Sequence, residues 1–240
     1  MLARRELVGE LMDDPVLASA AHLEALRGLQ RINRISFTSA ALWPRIERIL
    51  AADRTANASL LDVACGGGDV AIALARRARR RGFVLQTEGC DISETALHHA
   101  SEQARHAGER VKFFRLDVTA EPLPRHYTFI TCTLFLHHLA DAFIVALLCT
   151  LARSCDYLLV SDLIRGWTGY ALTWIGTRLL SRSSIVQEDG LRSVRAALTL
   201  DEARALATQA GLRGARFEHQ WPQRFLMTWS SASGGFHGRN

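Results

Sequence analysis

Asp62, Ala64, Gly66 and Gly68 stand in the run Leu60-Leu61-Asp62-Val63-Ala64-Cys65-Gly66-Gly67-Gly68-Asp69, an apolar stretch ending in a carboxylate and three consecutive glycines. Glycines at such a turn let the backbone approach a ligand that side chains would exclude. A carboxylate just before the turn can meet the ammonium group of a bound amino acid, whereas it would repel a pyrophosphate. Further on, Gly89-Cys90-Asp91-Ile92-Ser93 offers a second carboxylate, able to accept both hydroxyls of a ribose. A third, Asp117 in Phe114-Arg115-Leu116-Asp117-Val118, can accept from the amino group of an adenine, with Val118 against the ring. The pair His137-His138 brings imidazoles whose ordinary pKa of about 6.5 suits the removal of a phenolic proton.

Each feature has a plainer reading. Gly66-x-Gly68-x-x-Ala71 also satisfies the dinucleotide fingerprint, and Asp91 serves an adenosine of either cofactor class, so a nicotinamide or flavin enzyme stays open. Any one aspartate can be a helix cap or a surface carboxylate, but three at successive strand ends with glycines between them argue for one site. Of the histidines, one can pack against a cofactor while the other caps the following helix.

The elements that must position these residues alternate. Helical spacing marks Pro15 to Asn33 and Ser39 to Ala51, and a short polar linker, 53–58, opens onto a buried strand over 59–64. A helix runs to Arg81, a strand spans 83–90, a helix 93–107, a strand 111–116, a loop 117–124 and a strand 127–133. A helix over 139–152 and a strand over 156–161 complete the alternation. This pattern predicts an α/β fold, a doubly wound and mostly parallel sheet covered on both faces. The order breaks at 162–199, rich in Trp167, Tyr170 and Trp174; Thr199 then introduces a capped helix. Two extended runs, 213–220 and 223–229, flank Trp221-Pro222 as a closing antiparallel hairpin, and the Ser/Gly-rich tail reads as disordered. The expected organisation is a helical cap over 1–52, one main domain over 53–230 with an insertion at 162–199, and a flexible tail over 231–240.

Length and composition agree. A chain of 240 residues, 48% hydrophobic and 22% charged, can bury one substantial core. No stretch approaches the roughly 20 apolar residues of a membrane span, and no secretory signal opens the chain, so a soluble cytoplasmic protein is expected. The five cysteines include no C-x-x-C pair and sit mostly in apolar runs, which indicates neither a disulfide framework nor a metal site. Net charge is +5, with a dense run at Arg76, Arg77, Arg79, Arg80 and Arg81. The run reads as the solvated face of a helix whose other face is Ile72, Leu74, Ala75 and Ala78, so no nucleic-acid partner is expected.

Together the strand with Asp62-x-Ala64-x-Gly66-x-Gly68, Asp91, Asp117 and Phe135-Leu136-His137-His138-Leu139 resembles the class I S-adenosylmethionine-dependent methyltransferases. The resemblance is to the ubiquinone and menaquinone biosynthesis group and its small-molecule relatives, and it covers about Ser59 to Ser161. Ala64 departs from the glycine of many members. The resemblance implies a Rossmann-like seven-stranded sheet with an antiparallel C-terminal hairpin and S-adenosylmethionine as cofactor. It implies cofactor contacts from Asp62, Ala64, Gly66, Gly68, Asp91, Ile92, Asp117, Val118 and Leu134. The acceptor is expected at the strand ends near Phe135, His137, His138, Asp162 and Arg165, with the insertion's Trp167, Tyr170 and Trp174 as flat walls and Arg165 and Arg178 for an acidic group. His137 or His138 is the candidate base.

The function expected is methyl transfer to a small apolar or aromatic acceptor, a phenolic or quinol oxygen, by a chain able to form a homodimer. The alternatives are methylation of a ring carbon, a nicotinamide-dependent oxidoreductase, and an RNA-binding protein on the same fold.

Overall fold

The computed structural model describes residues 4–11, 23–28, 31–32, 37–52, 57–181 and 183–231. Seven strands form one sheet: β1 (Ala58–Val63), β2 (Leu85–Asp91), β3 (Val111–Arg115), β4 (Tyr127–Thr133), β5 (Cys155–Leu163), β6 (Arg216–Gln220) and β7 (Arg224–Ser230). Their order is β3-β2-β1-β4-β5-β7-β6. Strands β1 to β5 are parallel neighbours, and β7 pairs antiparallel with both β5 and β6. The doubly wound sheet with its closing hairpin is the architecture expected.

Every residue of β1 is buried, as a strand covered on both faces requires. One face carries α1 (Thr38–Ala52) and α2 (Asp69–Arg80), whose Leu42, Trp43, Ile46, Val70, Leu74 and Ala78 pack with Leu60, Phe129 and Leu226. The other carries α4 (Asp141–Arg153) and α7 (Leu200–Gln209), through Ile144, Leu147, Leu148, Leu151, Ala203 and Leu206 against Leu61, Ile130 and Leu158. Between them in sequence, α3 (Glu94–Ala107) follows β2, and α5 (Trp167–Leu180) and α6 (Ser184–Ala196) make up the insertion after β5.

Local chemistry sets the boundaries. Ser93 caps α3 by accepting from the Ala96 amide, and Gly108 closes it in the left-handed conformation. Thr199 and Glu202 form a reciprocal capping box at the start of α7, as the sequence predicts. The arginine run lies on α2 and beyond its end, and much of it meets protein partners. Arg79 and Arg76 meet Glu109 at 2.8 and 3.5 Å, Arg81 meets Glu47 at 3.0 Å, and Arg77 donates to Ser39.

Sequence and structure differ at the margins. The second strand starts at Leu85 rather than Phe83, and the fifth extends to Leu163, two residues past the expected end, because it pairs with β7 as far as Arg224. The expected helix over 15–33 is seen only at 23–28 and 31–32; its remainder, most of the 53–58 linker and the tail from 232 lie outside the described residues. No helix among the described residues is long and apolar enough to cross a membrane.

Candidate active site

The strand order reverses between β1 and β4, and the crevice at their carboxyl ends is where ligands settle in open α/β sheets. Both ends are bent there: Ala64, just past β1, has φ of 51°, and Leu134, just past β4, has φ of 56°. Non-glycine residues take this region at a cost and cluster at functional sites. The left-handed backbone at Ala64 marks a position that favours glycine.

The turn from β1 into α2 is fixed from behind. The Cys65 amide donates to the Cys90 carbonyl, and the Gly66 amide donates to Asp91 Oδ2 at 2.8 Å. Gly66 and Gly68 are glycines for different reasons. Both have positive φ, but a Cβ on Gly68 would lie 2.7 Å from the Phe113 ring and 2.8 Å from the Ala100 methyl. A Cβ on Gly66 would meet nothing within 4 Å and would stand in the open cavity.

Asp62 is buried, and its Oδ1 accepts from Thr131 Oγ1 at 2.7 Å. Its Oδ2 is buried with no hydrogen-bond partner. Burial, reinforced by the nearby Asp69 and Asp91 carboxylates, pushes this carboxyl up to about 7. Asp91 accepts from two backbone amides, Gly66 on Oδ2 and Ser93 on Oδ1 at 2.9 Å, which leaves a lone pair on each oxygen. Asp117 Oδ1 accepts from the Thr119 hydroxyl at 2.6 Å and the Thr119 amide at 2.9 Å; these bonds hold its carboxyl below the usual range.

One cavity of about 1060 Å³ joins these groups to the rest of the crevice. Ala64, Gly66, Asp91, Ile92, Asp117, Val118 and Leu134 line one end, and Phe135, His137 and His138 line the middle. Leu172, Ile175 and Leu180 of α5 with Val186 and Val194 of α6 form an apolar far wall. Asp62 and Gly68 stand behind the turn rather than on the lining.

Past Leu134 the chain makes a single 3-10 turn, Leu136–His138. It sets His137 inside the protein, its Nδ1 2.6 Å from Asp162 Oδ1 on β5, its backbone amide donating to Asp162 Oδ2. Its Nε2 is 3.6 Å from Glu10 Oε1. Burial alone would lower this imidazole, but Asp162 and Glu10 together overrule it and raise it to about 10. The His137 charge in turn keeps Asp162 below the usual carboxylate range despite its burial. His138 is half-exposed to the cavity, with Nε2 3.9 Å from the same Glu10 oxygen.

Glu10 carried no sequence signal; the chain around it is held by long-range bonds. Arg5 donates to the Ala196 and Leu136 carbonyls and to Asp141, the Leu11 amide donates to Asp189, and Ser193 donates to Glu10 itself. Arg224 at the start of β7 is the other residue missed. It is buried on the cavity lining and donates to Thr38, because β7 is an interior strand although it reads as an edge hairpin.

Five expected acceptor contacts are placed elsewhere. Arg165 is buried, but its guanidinium forks onto Glu202 at 2.6 and 2.9 Å and donates to the Ala197 carbonyl, anchoring the insertion to α7. Trp167 and Trp174 point outward, 65% and 48% exposed, and Tyr170 accepts from Arg195. Arg178 lies over the Trp174 ring, 4.4 Å from its centroid. The aliphatic face of α5, not its aromatic face, turns to the cavity.

Comparison with known proteins agrees with this frame. Residues 60–156 match the family described as methyltransferase domain. Ubiquinone biosynthesis O-methyltransferases are similar: that of Methylococcus capsulatus is 30% identical over 141 residues, 58% of this chain and 57% of the relative. That of Thiobacillus denitrificans is 30% identical over 128 residues, 52% and 53%. The chain thus spans about half the length of the curated relatives it matches. In fold it is similar to magnesium protoporphyrin IX methyltransferase from Synechocystis, solved with bound SAH (TM-score 0.59, 18% identity, 92% of this chain and 91% of that one). It is likewise similar to the plantazolicin methyltransferase in complex with SAH (TM-score 0.58, 16% identity, 91% and 86%). Over residues 60–156, where the crevice, the glycine turn and the strand-end carboxylates lie, the chain is thus similar to a methyltransferase domain.

Proposed function

We propose that the chain transfers a methyl group from S-adenosylmethionine to a hydroxyl oxygen of a small, largely apolar acceptor. The observation that carries this reading is the single cavity running from the glycine turn to the aliphatic wall of α5 and α6. At about 1060 Å³ it exceeds most single-ligand pockets, which run about 300–1,000 Å³, and has room for cofactor and acceptor side by side.

The residues fit the cofactor. Asp62 Oδ2, buried and unmatched behind the glycine turn, can meet an ammonium group through a bridging water; Asp91 has lone pairs for two ribose hydroxyls; the space above Gly66 is open. Leu116 and Val118 offer an apolar seat for the adenine, beside Asp117. When bound, the cofactor supplies a methyl carbon already activated by its sulfonium. The work left to the chain is alignment, exclusion of water and handling of the hydroxyl proton. His138, open to the cavity, faces that hydroxyl. His137, held as an imidazolium by Asp162 and Glu10, has no lone pair to receive a proton at neutral pH.

Oxygen rather than carbon is favoured by the imidazole at the centre of the cavity, where an acceptor's hydroxyl has a polar partner. Calorimetry with S-adenosylhomocysteine tests the cofactor half: tight binding to the parent chain is expected, with at least a hundredfold loss in Asp91→Ala. NAD(P) binding with no response to S-adenosylhomocysteine would overturn it. Product analysis tests the other half, since a methyl on oxygen and one on a ring carbon differ in acid lability and carbon shift.

A further inference from the structure

Three side chains at the cavity's centre are arranged in a way that methyl transfer by alignment alone does not require. Glu10 Oε1 lies 3.6 Å from His137 Nε2 and 3.9 Å from His138 Nε2, and a ligand atom of each residue lies within 4.8 Å of the other two. We propose that Glu10, His137 and His138 form a binding site for one divalent transition-metal ion, with zinc as the representative, whose open positions face the acceptor.

The geometry is close to what an ion needs. Two bonds of about 2.0–2.2 Å at a tetrahedral angle set their ligand atoms about 3.4 Å apart, so the two Glu10 contacts close by about 0.5 Å or less and the widest pair by up to about 1.4 Å. Two imidazoles and one carboxylate leave further positions for water or a substrate oxygen. All three residues line the cavity, so those positions open onto it.

The surroundings of the trio make an independent argument. Metal-binding histidines characteristically give their other ring nitrogen to a carboxylate, which fixes the tautomer and the ring plane. His137 does this with Asp162 at 2.6 Å, and the His137 amide holds the second Asp162 oxygen. With Nδ1–H committed to Asp162, Nε2 is the nitrogen aimed at Glu10. Glu10 is oriented in turn by the Ser193 hydroxyl, and its segment by Arg5 and by the Leu11 amide on Asp189. Glu10 and Asp162 bracket one imidazole in a buried place, an arrangement that calls for positive charge. A metal ion bound at Nε2 would supply it.

The inference deepens the proposed function. An acceptor hydroxyl entering an open position would become more acidic, its proton passing to solvent water, and His138 would act as a ligand rather than as a base. The binding test does not depend on methyl transfer.

Chelator-treated, tag-free full-length chain is titrated with zinc by calorimetry, and with cobalt followed by its visible spectrum. The expected result is one ion per chain with micromolar or tighter affinity, net proton release, and cobalt bands of a four- or five-coordinate site. Glu10→Gln and His138→Asn should each lose at least tenfold in affinity, and Asp162→Asn about 10–100-fold. S-adenosylhomocysteine binding and circular dichroism report whether each variant is folded. Absence of stoichiometric binding by the parent chain, or equal affinity in folded Glu10→Gln and His138→Asn, would overturn the site. Loss of S-adenosylhomocysteine binding by the parent chain would overturn the cofactor reading instead and leave the metal result standing.

Discussion

Asp62 has one oxygen bonded to Thr131 and one bare, in a setting that favours its neutral form. With the folded carboxyl at about 7 against an ordinary value of about 3.9, the fold stabilises the protonated state. The stability this adds is fully present below about pH 4 and is lost as pH rises through about 7. Without ligand, Asp62→Asn should therefore gain stability relative to the parent between pH 5 and 8, by roughly 2 kcal/mol at about 1.4 kcal/mol per pKa unit after allowance for relaxation. Thermal melts of both proteins across that range check the sign. Binding works the other way, because an ammonium group needs the carboxylate. Affinity for S-adenosylhomocysteine should rise with pH up to about 7, with proton release at pH 6. In Asp62→Asn it should fall at least tenfold, the value of a charge-assisted bond of about 1.5–3 kcal/mol, and lose that slope. Equal slopes in the two proteins would remove Asp62 from the cofactor site. The cofactor end was readable at this scale because each carboxylate follows an apolar strand and the glycines leave a composition mark. Thr131 and Phe113, which hold Asp62 and demand Gly68, carry no such mark; their roles depend on which strands become neighbours.

At the scale of elements the insertion shows where sequence reasoning reaches its limit. Its place after the fifth strand and its helical content were legible, but its facing was not. Trp167, Tyr170 and Trp174 have the size and shape of an acceptor wall, yet α5 packs on α6 with Gly190 against Thr173 and Thr177, and it is Leu172 and Ile175 that line the cavity. Helical spacing fixes which residues share a face, not which face meets the neighbour. Arg165 illustrates the same limit, since a lone arginine after a strand looks available until Glu202 of α7 is brought beside it. The two join the capping box, the Arg165 fork and the Ala197 carbonyl into one joint between insertion and sheet. Glu202→Ala breaks the box and strips a buried guanidinium of its carboxylate. The expected loss is about 2–3 kcal/mol, below that of a fully buried pair because the Glu202 side chain is 42% exposed. Glu202→Gln keeps the box and should cost about 1 kcal/mol. Urea midpoints give both values. S-adenosylhomocysteine affinity should be unchanged in Glu202→Gln, because the pair stands off the cavity lining; a changed affinity would return Arg165 to the ligand site.

Across the whole molecule the sheet divides labour between its two halves. Strands β1, β2 and β3 end in the carboxylates and the glycine turn, while β4 and β5 deliver the histidine turn and Asp162, roofed by the N-terminal segment, α5 and α6. The cofactor half follows the strand alternation written along the sequence. The acceptor half is assembled from contacts more than a hundred residues apart, Glu10 to His137 and Arg5 to Ala196 among them, which no local pattern encodes. If the halves bind different molecules, bulk added at the far wall should affect one and spare the other. Gly176 is a suitable position: it lines the cavity from α5, and a Cβ there meets nothing within 4 Å. Gly176→Leu places an isobutyl group in the acceptor half and replaces a helix-interior glycine with a good helix former, worth about 0.5–1 kcal/mol toward stability. The melting temperature should hold or rise, S-adenosylhomocysteine affinity should stay within twofold, and KM for a bulky phenolic acceptor should rise about tenfold, the effect of lost apolar contact in a filled pocket. A parallel fall in cofactor affinity would mean that the far wall belongs to the cofactor's seat, and the acceptor would then have to approach from the strand ends of β4 and β5 alone.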